Sequence, residues 1–456
     1  MTEASSIDHA VDELRSIAEG VAARATGDEA VDVMVSRGRS TSVRVYGGAV
    51  EAFTSAQSAG VGIRVIVDGR VGFAHAGSLD PDVISETLAA ARDNVAFAEP
   101  DEFAGLAEPD GVEAQLHDQW DESLLTFTAE EKIERALELE RMVRGLDPRI
   151  TGVRVAAWGD SAGASAYAAS NGVVRSDRGT SASVGVQPLA VEGDETQIGY
   201  GGHVARGPAG VDDERAAREA AEKATRLLGA TQPPSGRVTM LLEPKLAATL
   251  LGIVSGMLDG DAVVKGRSPF AGRLGEKVAS PLLTLVDDPT RAESIAAESW
   301  DGEGLACRRN ALIEGGVLSG FLHNSYTGRR TGTRSTGSAL RGTRSLPGVG
   351  AQVLVVEPGT RTFEDLVASI DHGLYVNSFA GLHSGVNPTS GDFSVGADGL
   401  LITNGSLAGP VREITLASTL QRLLADIAEI GGDAEWLTGG DYMASLVIPD
   451  VSMSGA

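Results

Sequence analysis

A chain of 456 residues, 42% hydrophobic and 22% charged, can bury two or three full cores and is too apolar to stay disordered. Its formal net charge of −25 argues against nucleic acid and anionic membranes as partners. The single cysteine, Cys307, rules out an intrachain disulfide framework and suits a reducing cytoplasm, and no apolar run is long enough to cross a membrane.

Residues 7–23 read as a helix, because Ile7, Val11, Leu14, Ile17 and Val21 recur at helical steps. The segment is acidic and amphipathic, unlike a signal peptide. Short strands follow at 31–35, 42–46 and 50–53, with Gly38 and Gly47-Gly48 as turns. Residues 62–67 and 70–74 make a hairpin about Asp68-Gly69. Pro81 opens a helix to about residue 96. Residues 98–121 are acidic, carry few periodic apolar positions and read as a long surface connection. Thr128 with Glu131 forms a capping box ahead of a helix to about residue 144. A second β run covers 152–158, 164–169, 173–186 and 197–205, with Asn171-Gly172 as a hairpin turn, and 212–228 is a further helix. Blocks of strands and helices, rather than strict alternation, predict an α+β fold.

Thr231-Gln232-Pro233-Pro234-Ser235-Gly236 is the clearest linker. It divides an N-terminal α+β domain, 1–233, of antiparallel meanders with helices, from a β-rich, barrel-like C-terminal domain, 234–456. In the second part, 237–242 and 445–453 read as strands, and 244–258 and 415–430 as helices. The 58 glycines fit such turn-rich β structure. The stretch 329–344 carries Arg329, Arg330, Arg334, Arg341 and Arg344. It is too polar for a core and reads as a mobile loop or lid.

The segment 381–405 concentrates the turn signals. Pro388 pushes Asn387 towards extended geometry, and Gly391 permits a tight turn. Phe393, Val395 and Ala397 then alternate with Ser394, Gly396 and Asp398 as a half-buried strand. Asp398-Gly399 reads as a hairpin turn, Leu400-Leu401-Ile402 as the returning strand, and Asn404-Gly405 as the next turn. A loop that exposes backbone donors and acceptors beside a sheet edge is suited to hold an extended peptide by strand addition. His383, Asn387, Ser390, Gly391, Asp392, Phe393 and Ser394 are therefore candidate substrate-binding residues; a purely structural hairpin is the competing reading.

Catalytic machinery is harder to find. No two histidines stand at the helical spacing of a zinc site, and His372 with His383 is a weak pair. No nucleophile elbow, P-loop or dinucleotide fingerprint occurs. A hydrolase built on Ser390 and His383 is the least supported possibility. Asp287-Asp288 and Asp301-Gly302-Glu303 fit solvated turn carboxylates better than a cation site. Cys307, beside Arg308, has a cationic neighbour that would lower its pKa.

The C-terminal half resembles the TldD/PmbA family of metallopeptidase-related proteins, and more closely its TldE (PmbA) branch. The resemblance is carried by Leu241-Leu242-Glu243-Pro244, Lys265-Gly266-Arg267-Ser268-Pro269-Phe270, Leu285-Val286-Asp287-Asp288-Pro289-Thr290, Asp301-Gly302-Glu303-Gly304, Thr336-Gly337-Ser338-Ala339 and the segment 385–405. In the TldD branch an H-E-x-x-x-H helix before a Gly-Asp-Ala segment binds zinc, with a cysteine near the C-terminus. Here Gly260-Asp261-Ala262 is present, but the ligand positions read Leu251-Gly252-Ile253-Val254-Ser255-Gly256, and residues 437–456 hold no cysteine. The resemblance implies no metal and no catalytic residue in this chain. It implies a zinc-bearing TldD-like partner, a heterodimer around a protected cavity, and a peptide or peptide-like substrate held near the partner's zinc. Alternatives are a non-hydrolytic binding or assembly protein, and a subunit of a biosynthetic enzyme cleaving an amide-like bond in a natural-product precursor.

Overall fold

The computed structural model describes residues 3–456, with side chains from residue 10 onward. Helix α1 (Glu3–Ala22) lies where the apolar periodicity places it, and buries Leu14, Ala18 and Val21. It is followed by β1 (Ala30–Tyr46), β2 (Ala49–Val67), β3 (Arg70–Ala76), α2 (Pro81–Val95), α3 (Ala129–Leu146), β4 (Ile150–Ala169), β5 (Val174–Glu192) and α4 (Asp213–Thr225). The strands form one antiparallel seven-stranded sheet in the order β3-β2-β1-β4-β5, with the short strands Glu195–Ile198 and Gly201–Ala205 both paired to β5.

Strand alternation decides what each face of this sheet does. Val31, Val33, Val35, Val43 and Val45 on β1 share a face with Ala156, Trp158, Ala164, Ala166 and Ala168 on β4. That face is buried beneath all four helices in two clusters: α1 and α2 cover one end, α3 and α4 the other. Thr128 caps α3 through the expected reciprocal box with Glu131. Glu140 on α3 accepts hydrogen bonds from Gly47 N (2.9 Å) and Gly48 N (2.7 Å), tying the β1–β2 turn to the helix.

The expected short strands are in fact long. Gly38 is no turn: it pairs with Ser58 on one side and Gly163 on the other, in mid-strand. A Cβ added at Gly163 would stand 3.2 Å from Arg37 O, so glycine here serves close packing of strands rather than reversal. The turns at Asp68-Gly69 and Asn171-Gly172 are where the sequence places them, joining β2 to β3 and β4 to β5.

The second half closes a five-stranded barrel from β6 (Gly236–Leu242), β7 (His372–Ala380), β8 (Asp392–Thr403), β9 (Ser406–Thr419) and β10 (Leu446–Ser454). The ladder runs β9-β8-β7-β6-β10, and Leu416 opposite Met453 joins the ends. The seam is short, Thr415–Ala417 against Ser452–Ser454, and it removes the free edge there. Beside the barrel, short strands including Leu285–Asp287, Asn310–Glu314 and Leu354–Val356 form a six-stranded sheet. One continuous apolar core joins the barrel, this sheet and helix α5 (Pro244–Met257). Mixed α+β architecture with a barrel-like second part is as expected.

Two expectations fail here. Asp398-Gly399 lies within β8, at a bulge against both neighbouring strands, and the reversal comes only at Asn404-Gly405, where both residues have positive φ (49° and 72°). A Cβ at Gly399 would stand 2.2 Å from Tyr375 O, so the barrel's curvature requires that glycine. The expected helix over 415–430 is cut to Leu420–Ala425: residues 415–419 are the end of strand β9, where Leu416 and its neighbours close the barrel seam, and Glu429–Ile430 is a further short strand.

Candidate functional site

The candidate loop hangs at one end of β7 and β8. Asn387 organises it: its N–H donates to Asp392 O (2.9 Å), its carbonyl accepts from Gly391 N (2.8 Å), and its side-chain oxygen accepts from Thr389 N (2.9 Å). Ser390 Oγ donates to Asp392 Oδ2 at 2.6 Å. Asn387, Ser390, Asp392, Ser394 and His383 are exposed. Gly391 is buried with φ of 86°, and a Cβ there would strike the Gln421 side chain. Phe393 is 1% exposed and meets Phe379 edge-on at 5.7 Å, so it is a core anchor of the loop. No hydrogen bond joins Ser390 to His383 among the described residues, and the serine's partner is an acid, so no activated nucleophile is assembled here. His372 opens the nine-residue strand β7 and His383 follows its far end; the strand alone spans roughly 26 Å at about 3.3 Å per residue, which separates the two as metal ligands.

Helix α5 holds the positions, 251–256, at which the resemblance to the TldD branch leads one to expect metal ligands. Leu251 and Val254 are fully buried and face the core. Gly252 and Gly256 face open space, with nothing within 4 Å of an added Cβ. Leu251, Gly252, Ile253, Val254 and Gly256 offer no side-chain donor atom, and Ser255 Oγ is turned to Gly252 O at 2.9 Å. The residues present do not fit a zinc ion. Among the described residues no group of three or more histidine, cysteine or acidic side chains converges for a metal.

The acidic clusters prove to be interior, and in the arginine stretch Arg329 and Arg341 are held inward while Arg330, Arg334 and Arg344 are exposed. Asp287 is wholly buried, Asp301 is 6% exposed and Glu303 1%. Asp301 Oδ1 accepts from Glu303 N (2.9 Å) and Leu305 N (3.0 Å), and Oδ2 from Ala339 N (3.1 Å), so it braces a buried turn. Burial pushes its pKa up to about 7, and Glu303's charge adds to that. Cys307 is 3% exposed; burial drives its pKa well up, and Arg308 is engaged with Asp110 at 2.6 Å, so the expected thiolate activation is absent.

Residues 329–344 are no free lid. Arg329 donates to the carbonyls of Phe103, Gly105 and Leu106, pinning the 98–121 connection. Arg341 is buried completely along its side chain, with NH1 2.9 Å from Asp32 Oδ1. Arg64 clasps the same carboxylate through Nε (3.1 Å) and NH2, and Tyr167 donates to it at 3.2 Å. Burial alone would raise the pKa of Asp32; Arg341 and Arg64 outweigh it and hold it below the ordinary value. This cluster sits on the sheet face opposite the helices and locks the 339–349 segment against it. A cavity of about 480 Å3 opens beside it, between that sheet face and the irregular segment of Glu298, Trp300 and Asp301. Sequence reasoning missed it. The available signal was Arg175 and Asp177 projecting from one face of a strand whose other face turns apolar from Ala182 onward.

With this geometry in hand, three sequence profiles match in succession: PmbA/TldA metallopeptidase domain 1 over 31–95, central domain over 122–228, and C-terminal domain over 235–455. The chain belongs to the PmbA/TldD metallopeptidase family. The metalloprotease PmbA of Escherichia coli O157:H7 is 26% identical over 433 residues, spanning 94% of this chain and 92% of its own length. Among solved structures, a protein of Bacteroides thetaiotaomicron described as a putative modulator of DNA gyrase matches with a TM-score of 0.87 and 26% identity, covering 98% of this chain and 99% of its own. TldE of Thermococcus kodakarensis matches in fold with a TM-score of 0.86 at 24% identity, covering 98% and 100%. A PmbA/TldD family member thus retains the whole scaffold while its α5 helix carries no ligand set. No helix of this family member, among the described residues, is long and apolar enough to cross a membrane.

Proposed function

We propose that this chain is the metal-free, TldE-like subunit of a TldD/TldE-type metallopeptidase heterodimer. It shapes the cavity and holds peptide or peptide-like substrate for zinc-dependent hydrolysis by a TldD-like partner. The observation that carries the reading is helix α5: Leu251 turns into the core, and Gly252 and Gly256 present bare backbone where a catalytic helix needs imidazoles and a carboxylate. The relatives named as metalloproteases support the reaction class, and full-length coverage supports the same scaffold. In this reading residues 1–233 and 234–456 are the two domains, the pair works in the cytoplasm, and the loop from His383 to Ser394 contributes to the wall facing the substrate.

The test is metal content together with peptide cleavage, with the chain alone, the cognate TldD-like chain alone, and the two mixed. The expected result is no stoichiometric zinc in this chain, no cleavage by it alone, and cleavage by the mixture. Zinc held tightly by this chain with peptide hydrolysis in the partner's absence would overturn the proposal. A stable mixture with unchanged partner activity would favour a non-hydrolytic assembly role instead.

A further inference from the structure

The cavity on the open sheet face has a definite chemical character. Its volume of about 480 Å3 lies within the range of small-molecule sites, about 300–1,000 Å3. Its floor is a pair of strands in register, with Tyr167 opposite Arg175, Ser165 opposite Asp177, and Gly163 opposite Gly179. Glu298, Trp300 and Asp301 form the facing wall, and Arg341 lines its inner end.

Charges of both signs meet there with unfilled bonding capacity. Arg175 stacks its guanidinium 3.9 Å from the Trp300 ring and donates to Val174 O at 2.6 Å, leaving Nε buried without an acceptor. Arg341 is wholly buried, and none of its guanidinium nitrogens finds a hydrogen-bond acceptor in line, despite the charge contact with Asp32. Neither Asp177, two residues along the same strand face from Arg175, nor Glu298 on the facing wall receives a hydrogen bond from the described residues. Burial raises Asp177, with Arg175 only partly opposing. Burial, then the charge of Asp177, pushes Glu298 up to about 7, with Arg206 only partly opposing. No ion pair joins Arg175 to either carboxylate among the described residues, so the two sets do not satisfy each other.

A buried guanidinium nitrogen without an acceptor, beside half-buried carboxylates that no protein donor reaches, leaves bonding capacity of both signs turned to the cleft. One kind of molecule carries the missing acceptor and the missing donor together. We propose that this cleft binds a zwitterion, a free amino acid or a short peptide with both termini uncapped, with its ammonium between Asp177 and Glu298 and its carboxylate at Arg175. The floor permits it: Gly163, Ser165 and Gly179 leave room for a ligand main chain along the strands. This inference rests on the reading that the protein handles peptides, and it adds recognition of free termini at a place distinct from the His383–Ser394 loop.

The test is calorimetric titration of the purified full chain with trialanine, N-acetyl-trialanine and trialanine amide. Trialanine is expected to bind, and each capped form to bind about tenfold or more weakly, one charge-assisted interaction being lost in each. Glu298→Gln and Asp177→Asn are expected to weaken trialanine and to shrink the penalty for acetylation. Arg175→Met is expected to shrink the penalty for amidation. Undetectable trialanine binding, equal binding of the capped peptides, or unchanged affinity in the folded Glu298→Gln and Asp177→Asn proteins would overturn the proposal. Loss on amidation alone would make the site an anion site and overturn it as well. If the mixed subunits cleave peptides while trialanine fails to bind, the zwitterion site falls and the pairing stands; trialanine binding with no cleavage by the mixture gives the reverse.

Discussion

Replacing Arg341 with methionine should loosen the contact between the two halves of the molecule. Asp32, Glu303, Arg64 and Arg341 form a buried group whose side chains are all at most 8% exposed, and whose formal charges cancel. Methionine keeps most of the side-chain volume but leaves that group with one uncompensated negative charge. Breaking a buried pair in this way costs about 3–5 kcal/mol, far more than an exposed pair. The pH dependence follows from the sign of the shift. Asp32 is held below its ordinary value in the folded protein, so its stabilisation is present above the unfolded carboxylate's pKa and is lost as pH falls through the folded one. Protonating Asp32 also removes the stranded charge in the variant. The gap between wild type and Arg341→Met should therefore be widest near neutral pH and shrink towards acid. Urea unfolding followed by circular dichroism at neutral and acidic pH measures it. The double variant Asp32→Asn/Arg341→Met leaves Arg64 facing Glu303 with balanced charge, and should be more stable than Arg341→Met alone, a coupling of about 1–3 kcal/mol. A loss below about 1 kcal/mol at neutral pH would refute the lock, as would a loss that does not change with pH.

Two further outcomes separate structure from function. Phe393→Ala should cost about 3–5 kcal/mol of stability, since it empties a core position packed against Phe379. His383→Ala and Ser390→Ala, both exposed, should change stability by no more than about 0.5 kcal/mol while reducing peptide cleavage by the mixed subunits. Gly72→Ala should destabilise by about 1–3 kcal/mol, because the new methyl would stand 2.0 Å from Ala91 O and 2.7 Å from Val95 N. Hydrogen exchange should then localise the loosening to β3 and α2, and exchange unchanged in both elements would contradict that packing.

What was legible in the sequence was local. The capping box at Thr128 and Glu131, Pro81 at a helix start, and the Asp68-Gly69 and Asn404-Gly405 turns each depend on residues within one turn of chain, and each is present. What misled were glycines whose reason is a neighbour far away in sequence. Gly38 and Gly399 carry the same local signal as Gly69, yet one lies against Gly163 and the other against the Tyr375 carbonyl. A glycine that reverses the chain and a glycine that admits another strand cannot be told apart without the partner.

The same limit explains the charged residues. Arg341 reads as surface because its partner, Asp32, lies at the far end of the chain, on a strand whose alternate positions are valine. That alternation did contain a clue. β1 buries its odd-numbered residues under helices, so an acidic residue at position 32 must project from the opposite face, where solvent or another part of the protein has to meet it. The structure meets it with two arginines and a tyrosine, and the same face continues outward through Ser36, Gly38, Ser165 and Asp177 to the cleft. The lock and the cleft are therefore consequences of one strand pattern: an apolar face spent on the helices leaves a small, polar face on which the second half can dock at one end and a ligand can lie at the other.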